Sequence, residues 1–301
     1  MSPIKKVAVI GGSGNVGRPI LEELVAAGFN VTALTRESST ATFPKGVTVK
    51  KVNFSDSKSL GEAFAGQDAV VSAIATAAIG TQTPIVDAAV AAGVKRYIPS
   101  EFGINTRLTP GTTIGKMLAG KVAVADYLAE KAKENPNFSW TGISTGMFFD
   151  WGLNHITGID FDKKTVRVVD SGNEKWQASN LHFVGKAVAA VLNNPDKVAN
   201  KYLQVASFNV NHNQIVKTIE ELTGKTFTVD RASSKELQQL GEDKLAKGDY
   251  SAFGPLVTAW NYADGANKGL TPDTSANELL GLKEEDLKET IKAWLQKQGQ
   301  L

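Results

Sequence analysis

The sequence predicts an α/β protein, a doubly wound parallel sheet joined to a smaller α/β C-terminal lobe. Three observations lead there. Residues 7–98 alternate short apolar strand runs with segments of helical period, separated by brief turns. Two of those helical segments stop at glycine, Gly28 and Gly93, the residue that best takes the left-handed conformation closing a helix. A glycine-rich turn joins the first strand to the first helix. Successive βα units cross back over the sheet in a right-handed sense, so the strands run parallel and helices cover both faces.

Taken in order, residues 7–10 form a buried strand and 20–27 an amphipathic helix. Residues 30–35 and 47–52 follow as strands, 57–65 as a helix, 68–73 as a strand, 81–92 as a helix and 94–98 as a strand. Beyond Pro99 the pattern loosens. A long helix is expected over 113–133 and a strand over 140–144. Strands at 165–169 and 202–205 then mix with helices at 181–192, 213–222 and 284–296. This divides the chain into residues 1–150, the sheet domain, and 151–301, a lobe interwoven with it. All five tryptophans (Trp140, Trp151, Trp176, Trp260, Trp294) fall after residue 139. Large rings there either fill the core of a small lobe or line a pocket for a flat apolar ligand.

Composition removes many functions. The 301 residues contain no cysteine, which excludes disulfides, thiol nucleophiles and thiolate-bound metals. Three histidines, His155, His182 and His212, lie at no metal-ligand spacing. A net charge of +2 is too small for a nucleic-acid footprint. The longest run of small and apolar residues, near 69–79, falls well short of the roughly 20 needed to span a bilayer. The N-terminal stretch lacks a secretory h-region. The expectation is a cytoplasmic protein, without nucleic-acid or membrane partners, whose chemistry comes from a bound cofactor or from Lys, Tyr, Ser and carboxylates.

The turn after the first strand reads Gly11-Gly12-Ser13-Gly14-Asn15-Val16-Gly17. Its G-x-x-G-x-x-G pattern is a variant of the dinucleotide fingerprint. Gly11 allows the tight turn, Gly14 lets backbone approach a pyrophosphate, and Gly17 lets helix pack close to strand. The free N–H groups and positive dipole end of the helix then face the phosphates. Placement between a strand and a helix is the context the motif requires.

Where an NAD-selective site carries an acid, about 20 residues after the glycines, this chain has Arg36, following Thr35. Arginine is scarce, six against 27 lysines. A guanidinium suits a ribose 2′-phosphate, with Ser38 and Ser39 adding hydroxyls and Lys45 a charge, so NADP(H) is expected. Glu37 argues the other way, because it can take a 2′-hydroxyl.

In an open α/β sheet the ligand lies across the carboxyl ends of the strands. The relevant loops supply Ala73 and Ile74, Ser100 and Phe102, and Gly146, Met147 and Phe148 as cofactor contacts. The short-chain dehydrogenase pair Tyr-x-x-x-Lys on the next helix has two registers here. Tyr127 and Lys131 match its spacing literally. Alternatively Lys121 holds the lysine position, with Met117 where tyrosine would be. Lys121 lies 25 residues before Gly146, room for the rest of the helix, a turn and a strand, whereas Lys131 lies near the helix's far end. Geometry favours Lys121.

Together, Gly11–Gly17, the Thr35-Arg36-Glu37-Ser38 run, Pro99-Ser100-Glu101-Phe102-Gly103, Lys121 and Phe148-Phe149-Asp150-Trp151 resemble the isoflavone reductase-like branch of the NmrA-like family, atypical short-chain dehydrogenases with a Rossmann-type fold. The resemblance runs from residue 5 to about 295 and looks most like fungal members. It implies NADPH, a substrate pocket in the C-terminal lobe and a lone lysine, matched by Lys121, as acid/base. The expected activity is hydride delivery to a small apolar or aromatic substrate such as an enone, ketone or benzylic ether, by a monomer or homodimer.

A lysine acting alone must lose its proton more easily than an ordinary one near pKa 10.4, through burial or a neighbouring cation. The rival expectation is a non-catalytic NAD(P)-sensing regulator that docks on a protein partner, since members of the wider family serve that way. An epimerase or dehydratase is a third reading, against which the Tyr-x-x-x-Lys register argues.

Overall fold

The computed structural model describes residues 3–301; residues 1 and 2, part of the stretch read above for a secretory signal, lie outside the described residues. The first half builds β1 (Lys6–Ile10), α1 (Gly17–Ala26), β2 (Asn30–Arg36), β3 (Thr48–Val52), α2 (Ser57–Phe64), β4 (Ala69–Ser72), α3 (Gln82–Ala91), β5 (Arg96–Ile98), α4 (Thr113–Glu134) and β6 (Ser139–Ser144). The second adds β7 (Met147–Phe148), α5 (Phe149–Thr157), β8 (Thr165–Val169), β9 (Trp176–Ser179), α6 (Leu181–Asn193), β10 (Lys201–Gln204), β11 (Phe208–Val210), α7 (His212–Thr223), β12 (Thr228–Ala232), α8 (Ser234–Ala246), α9 (Phe253–Tyr262), α10 (Asn277–Leu280) and α11 (Leu287–Lys297).

Seven strands form one sheet in the order β10-β6-β5-β4-β1-β2-β3, and every pairing in it is parallel. Strand period explains how one short run serves two layers. In β1, Val7 and Val9 enter the core under α1 and α6, while Ala8 and Ile10 enter the core with Leu60, Val86 and Leu128 of α2, α3 and α4. Each such fully buried aliphatic contributes about 2 kcal/mol. Two smaller sheets, β11-β9-β7 and the parallel pair β12-β8, pack around a third core containing Trp176, Phe149 and Trp294. Among the described residues no helix is long and apolar enough to cross a membrane.

The second half of the chain re-enters the large sheet. Strand β10 pairs with β6, and α6 lies on α1 so closely that a Cβ on Gly185 would meet the Pro19 carbonyl oxygen at 2.6 Å. Arg96, wholly buried on β5, fastens this return. Its Nε donates to Ser139 Oγ and its Nη1 to Thr141 Oγ1, both at 2.9 Å, while Nη2 donates to the Pro195 carbonyl ahead of β10. Burial pulls its pKa down to about 10.

The tryptophans serve both expected uses. Trp140 lies in the α4-side core of the large sheet, and Trp176 and Trp294 fill the lobe. Trp151 stands 53% exposed at a cavity described below. The strands and helices expected from the sequence form within a few residues of their stated limits. Helices 20–27 and 284–296 depart most, α1 starting three residues earlier and α11 three residues later, and a 3₁₀ turn at Thr76–Thr81 leads into α3.

Candidate active site

The glycine turn between β1 and α1 is built against the strand next door. Gly11 has φ +78°, and a Cβ there would stand 2.5 Å from the Ala73 carbonyl oxygen. A Cβ on Gly17 would overlap the carbonyl oxygen of Gly11. Gly14 differs: a Cβ would meet only that oxygen, at 3.4 Å, so its small size serves the space in front of it. Helix α1 begins with no side-chain cap at Val16 and no acidic residue in its first turn. The Arg18 N–H is taken by the Gly14 carbonyl and Pro19 has none, so what the helix offers an anion is chiefly its positive end.

In front of that turn lies a cleft of about 570 Å³, walled by Gly11, Ser13, Gly14, Thr35, Arg36, Ala73 and Ile74. Those seven are the expected cofactor residues that the fold gathers there. Ser39, read with Ser38 as a hydroxyl donor, joins them, and Phe43, Phe54 and Ser55 do so unforeseen. Arg36 is exposed at the end of β2, and Arg18 Nη2 pins the following loop through the Thr42 carbonyl oxygen at 2.7 Å. A backbone cradle in which Gly11 and Gly17 have no room for a Cβ, an open helix N-terminus and a guanidinium at the end of the neighbouring strand β2 fit a dinucleotide with a charged ribose.

Other expected contacts are placed elsewhere. Asn15, Ser38 and Lys45 are exposed and do not wall this cleft. Val16 packs beside the α1-side core, Gly17 is buried under the turn, and Phe102 is buried in that same core. Ser100 is buried and donates through Oγ to the Ile74 carbonyl at 2.7 Å, so it holds the cleft wall from behind.

Gly146, Met147, Phe148 and Lys121 wall a second cavity, of about 550 Å³. Its remaining walls are mostly apolar: Ile104, Leu118, Trp151 and Ile156, with Phe253 and Val257 from α9. The two cavities adjoin across one segment, because Ile74, Ala75 and Ala78 face the glycine cleft while Thr76 faces the apolar cavity.

Lys121 sits on the third turn of α4, half-buried, and Nζ donates to the carbonyl oxygen of Glu101 at 3.0 Å. The loop that offers this carbonyl is held residue by residue. Phe102, at φ +28°, gives its carbonyl oxygen to Thr145 Oγ1. Gly103 O accepts from Ser144 Oγ and from the Thr145 and Gly146 N–H groups. The unusual φ of a phenylalanine persists because these bonds over-determine the turn. Burial lowers the Lys121 pKa from the ordinary lysine range, and the Glu101 carboxylate opposes that fall.

The literal Tyr-x-x-x-Lys pair lies away from this cavity. Tyr127 donates to Asp87 Oδ1 on α3, and Lys131 pairs with Asp87 at 3.5 Å and Glu134 at 3.4 Å. His182 meets Glu23 Oε1 at 2.9 Å on the exposed face where α6 crosses α1.

Several residues of this site carried no readable sequence signal. Phe253 and Val257 come from α9, which has no clean apolar stripe, and His155 from α5, whose stripe of Phe149, Leu153 and Ile156 marks the face turned to the core. Glu101 and Thr106 also wall the cavity. Beneath its far end His212 is buried against Trp176 and Tyr262. Burial pulls the His212 pKa down to about 4, and Nε2 donates to the Ile156 carbonyl oxygen at 3.3 Å.

The model of the NmrA-like family matches residues 3–259. The chain is 35% identical over 289 residues to a protein named oxidoreductase poxI from Penicillium oxalicum, covering 94% of this chain and 92% of that one. It is 28% identical over 281 residues to isoflavone reductase homolog IRL of Zea mays, covering 82% and 88%. Among solved structures it matches one described as AtPrR2 with NADP+ and (+)pinoresinol, with TM-score 0.80, 23% identity and coverage of 98% and 100%. That last likeness is one of fold.

Proposed function

This chain belongs to the NmrA-like family, and from that premise we propose that it is an NADP(H)-dependent oxidoreductase of the isoflavone reductase-like branch. Its substrate is a small apolar or aromatic molecule, an enone, ketone or benzylic ether, and Lys121 is the acid/base. One observation carries the reading: a half-buried lysine amine borders an apolar cavity that shares a wall with a dinucleotide-shaped cleft. The relatives named as an oxidoreductase and an isoflavone reductase homolog support it.

Gly11, Ser13 and Gly14 would hold the pyrophosphate at the start of α1, and Arg36 the 2′-phosphate. The chemistry NADPH supplies when bound is hydride donation. The chain's own residues do the rest. Ile104, Leu118 and Met147 desolvate the substrate, so a charge growing on its oxygen weighs heavily. Lys121 Nζ, fixed on the Glu101 carbonyl, keeps two further N–H bonds for that oxygen and delivers a proton to it. Burial weakens its hold on the proton, which makes it a better acid than a lysine in water.

Following NADPH absorbance across a panel of enones, quinones and benzylic ethers tests the reading. Turnover of at least one member by the wild type, and none by Lys121→Ala, is the expected result. Tight NADPH binding without oxidation by any member would overturn it in favour of a sensor.

A further inference from the structure

We propose that Tyr202 and Thr106 are positioning residues for Lys121: by donating to one oxygen of Glu101 they hold its carboxylate off the lysine and leave the ammonium on the backbone carbonyl. The inference rests on the reading of Lys121 as acid/base.

Glu101 is 2% exposed and follows β5 by three residues. Its Oε2 accepts from Thr106 Oγ1 and from the Tyr202 hydroxyl, each at 2.7 Å. The Thr106 N–H in turn donates to the Tyr202 oxygen at 3.3 Å, fixing the direction in which that hydroxyl points. Hydroxyl-to-carboxylate bonds of this length belong to the stronger, charge-assisted kind. Lys121 Nζ donates to the carbonyl of the same residue, and among the described residues Lys121 forms no ion pair.

A buried carboxylate beside a buried ammonium would ordinarily close on it, because each is costly to leave without a partner. Closure would tie up the N–H bonds a substrate oxygen needs and would strengthen the lysine's hold on its proton. Two hydroxyls occupying Oε2 supply the carboxylate with partners that cost the lysine nothing. The titratable groups around the ammonium are Glu101 from the loop after β5, Tyr202 from β10 behind it, and His155 and Tyr262 across the cavity from α5 and α9.

Tyr202 reaches Glu101 because of one glycine. In the β10–β6 register Tyr202 pairs with Gly142, and a Cβ on Gly142 would stand 2.5 Å from the tyrosine ring. The ring lies across the bare backbone of β6 and brings its hydroxyl to the carboxylate. Tyr202→Phe therefore keeps the packing and removes only the donor.

The protonation of Lys121 is read directly, apart from turnover, by the pH dependence of its trace acetylation in the full-length protein, quantified by peptide mass spectrometry. Tyr202→Phe frees the carboxylate to close on the lysine and should raise the labelling midpoint by about one pH unit. Thr106→Val should move it the same way. Glu101→Gln should lower it by a similar amount, and the Glu101→Gln/Tyr202→Phe double variant should follow Glu101→Gln. If Tyr202→Phe shifts the midpoint no more than Tyr127→Phe does, the proposal is wrong. If the labelling midpoint moves while the pH profile of kcat does not, the positioning stands and the assignment of Lys121 as acid/base falls.

Discussion

The carbonyl oxygen of Gly11 occupies the space that a side chain on Gly17 would need, so the first turn of α1 closes onto the end of β1 with backbone against backbone. Gly17→Ala must therefore force the turn open. The expected loss is about 3 kcal/mol of stability by urea unfolding. Gly14→Ala meets its nearest atom at 3.4 Å and should leave stability within about 0.5 kcal/mol. The same variant should weaken NADPH binding at least tenfold in a fluorescence titration. Equal stability losses in the two would refute this division of labour.

Arg36 walls the glycine cleft at the end of β2, exposed and free to meet a phosphate. Reversing its charge in Arg36→Glu should raise the Kd for NADPH by about 10- to 100-fold, the worth of one charge-assisted contact. NADH, which lacks the 2′-phosphate, should bind within about threefold of its wild-type affinity. Parallel losses for the two nucleotides would remove Arg36 from the 2′-phosphate role.

Lys121 and Tyr127 share α4 but meet different partners, Glu101 beside the cavity and Asp87 on α3. Lys121→Ala should cut kcat by at least about 100-fold, with NADPH affinity changed less than about tenfold. Tyr127→Phe should leave both near wild type. Because burial lowers the lysine pKa and reduction uses the protonated amine, kcat should fall as pH rises through a midpoint below about 10.4. A pH-independent kcat up to that value would remove the lysine from proton transfer.

His212 is neutral in the folded protein, with its pKa pulled from 6.5 to about 4. An unfolded chain binds a proton there between those values and the folded one does not. This residue's share of stability is thus complete above about pH 6.5 and is lost as pH falls toward 4, to the extent of about 3 kcal/mol. In His212→Phe, urea midpoints measured from pH 7 to 4 should decline less steeply than in the wild type. An unchanged slope would place the acid lability in other groups.

The sheet and its nucleotide end were legible in the residues because their causes are local. Period-two apolar runs such as 7–10, helices closed by Gly28 and Gly93, and the spacing of Gly11, Gly14 and Gly17 each act within a few residues. Arg36 is picked out the same way, by counting along one βαβ unit, and it walls the glycine cleft. Lys121 needed a further step, weighing where along a long helix the strand ends would fall, and its placement at the apolar cavity agrees with that estimate.

The rest depended on contacts between distant segments. Ser38, Ser39 and Lys45 all look like phosphate ligands in a linear reading, yet the loop after β2, held by Arg18, sets only Ser39 of the three against the cleft, with Phe43 beside it. Of the helices that wall the cavity, α9 shows no clean stripe, and the buried stripe of α5 (Phe149, Leu153, Ile156) marks a core face, so neither pattern points to a ligand space. Glu101 and Tyr202 stand 101 residues apart and meet only because Gly142 lets a tyrosine ring lie over β6. By itself the sequence determined which chemistry the chain can hold, since backbone conformation and residue type act locally. Tertiary structure alone decided which atoms face that chemistry, because side-chain direction at a sheet's end is set by whatever strand or helix packs beside it.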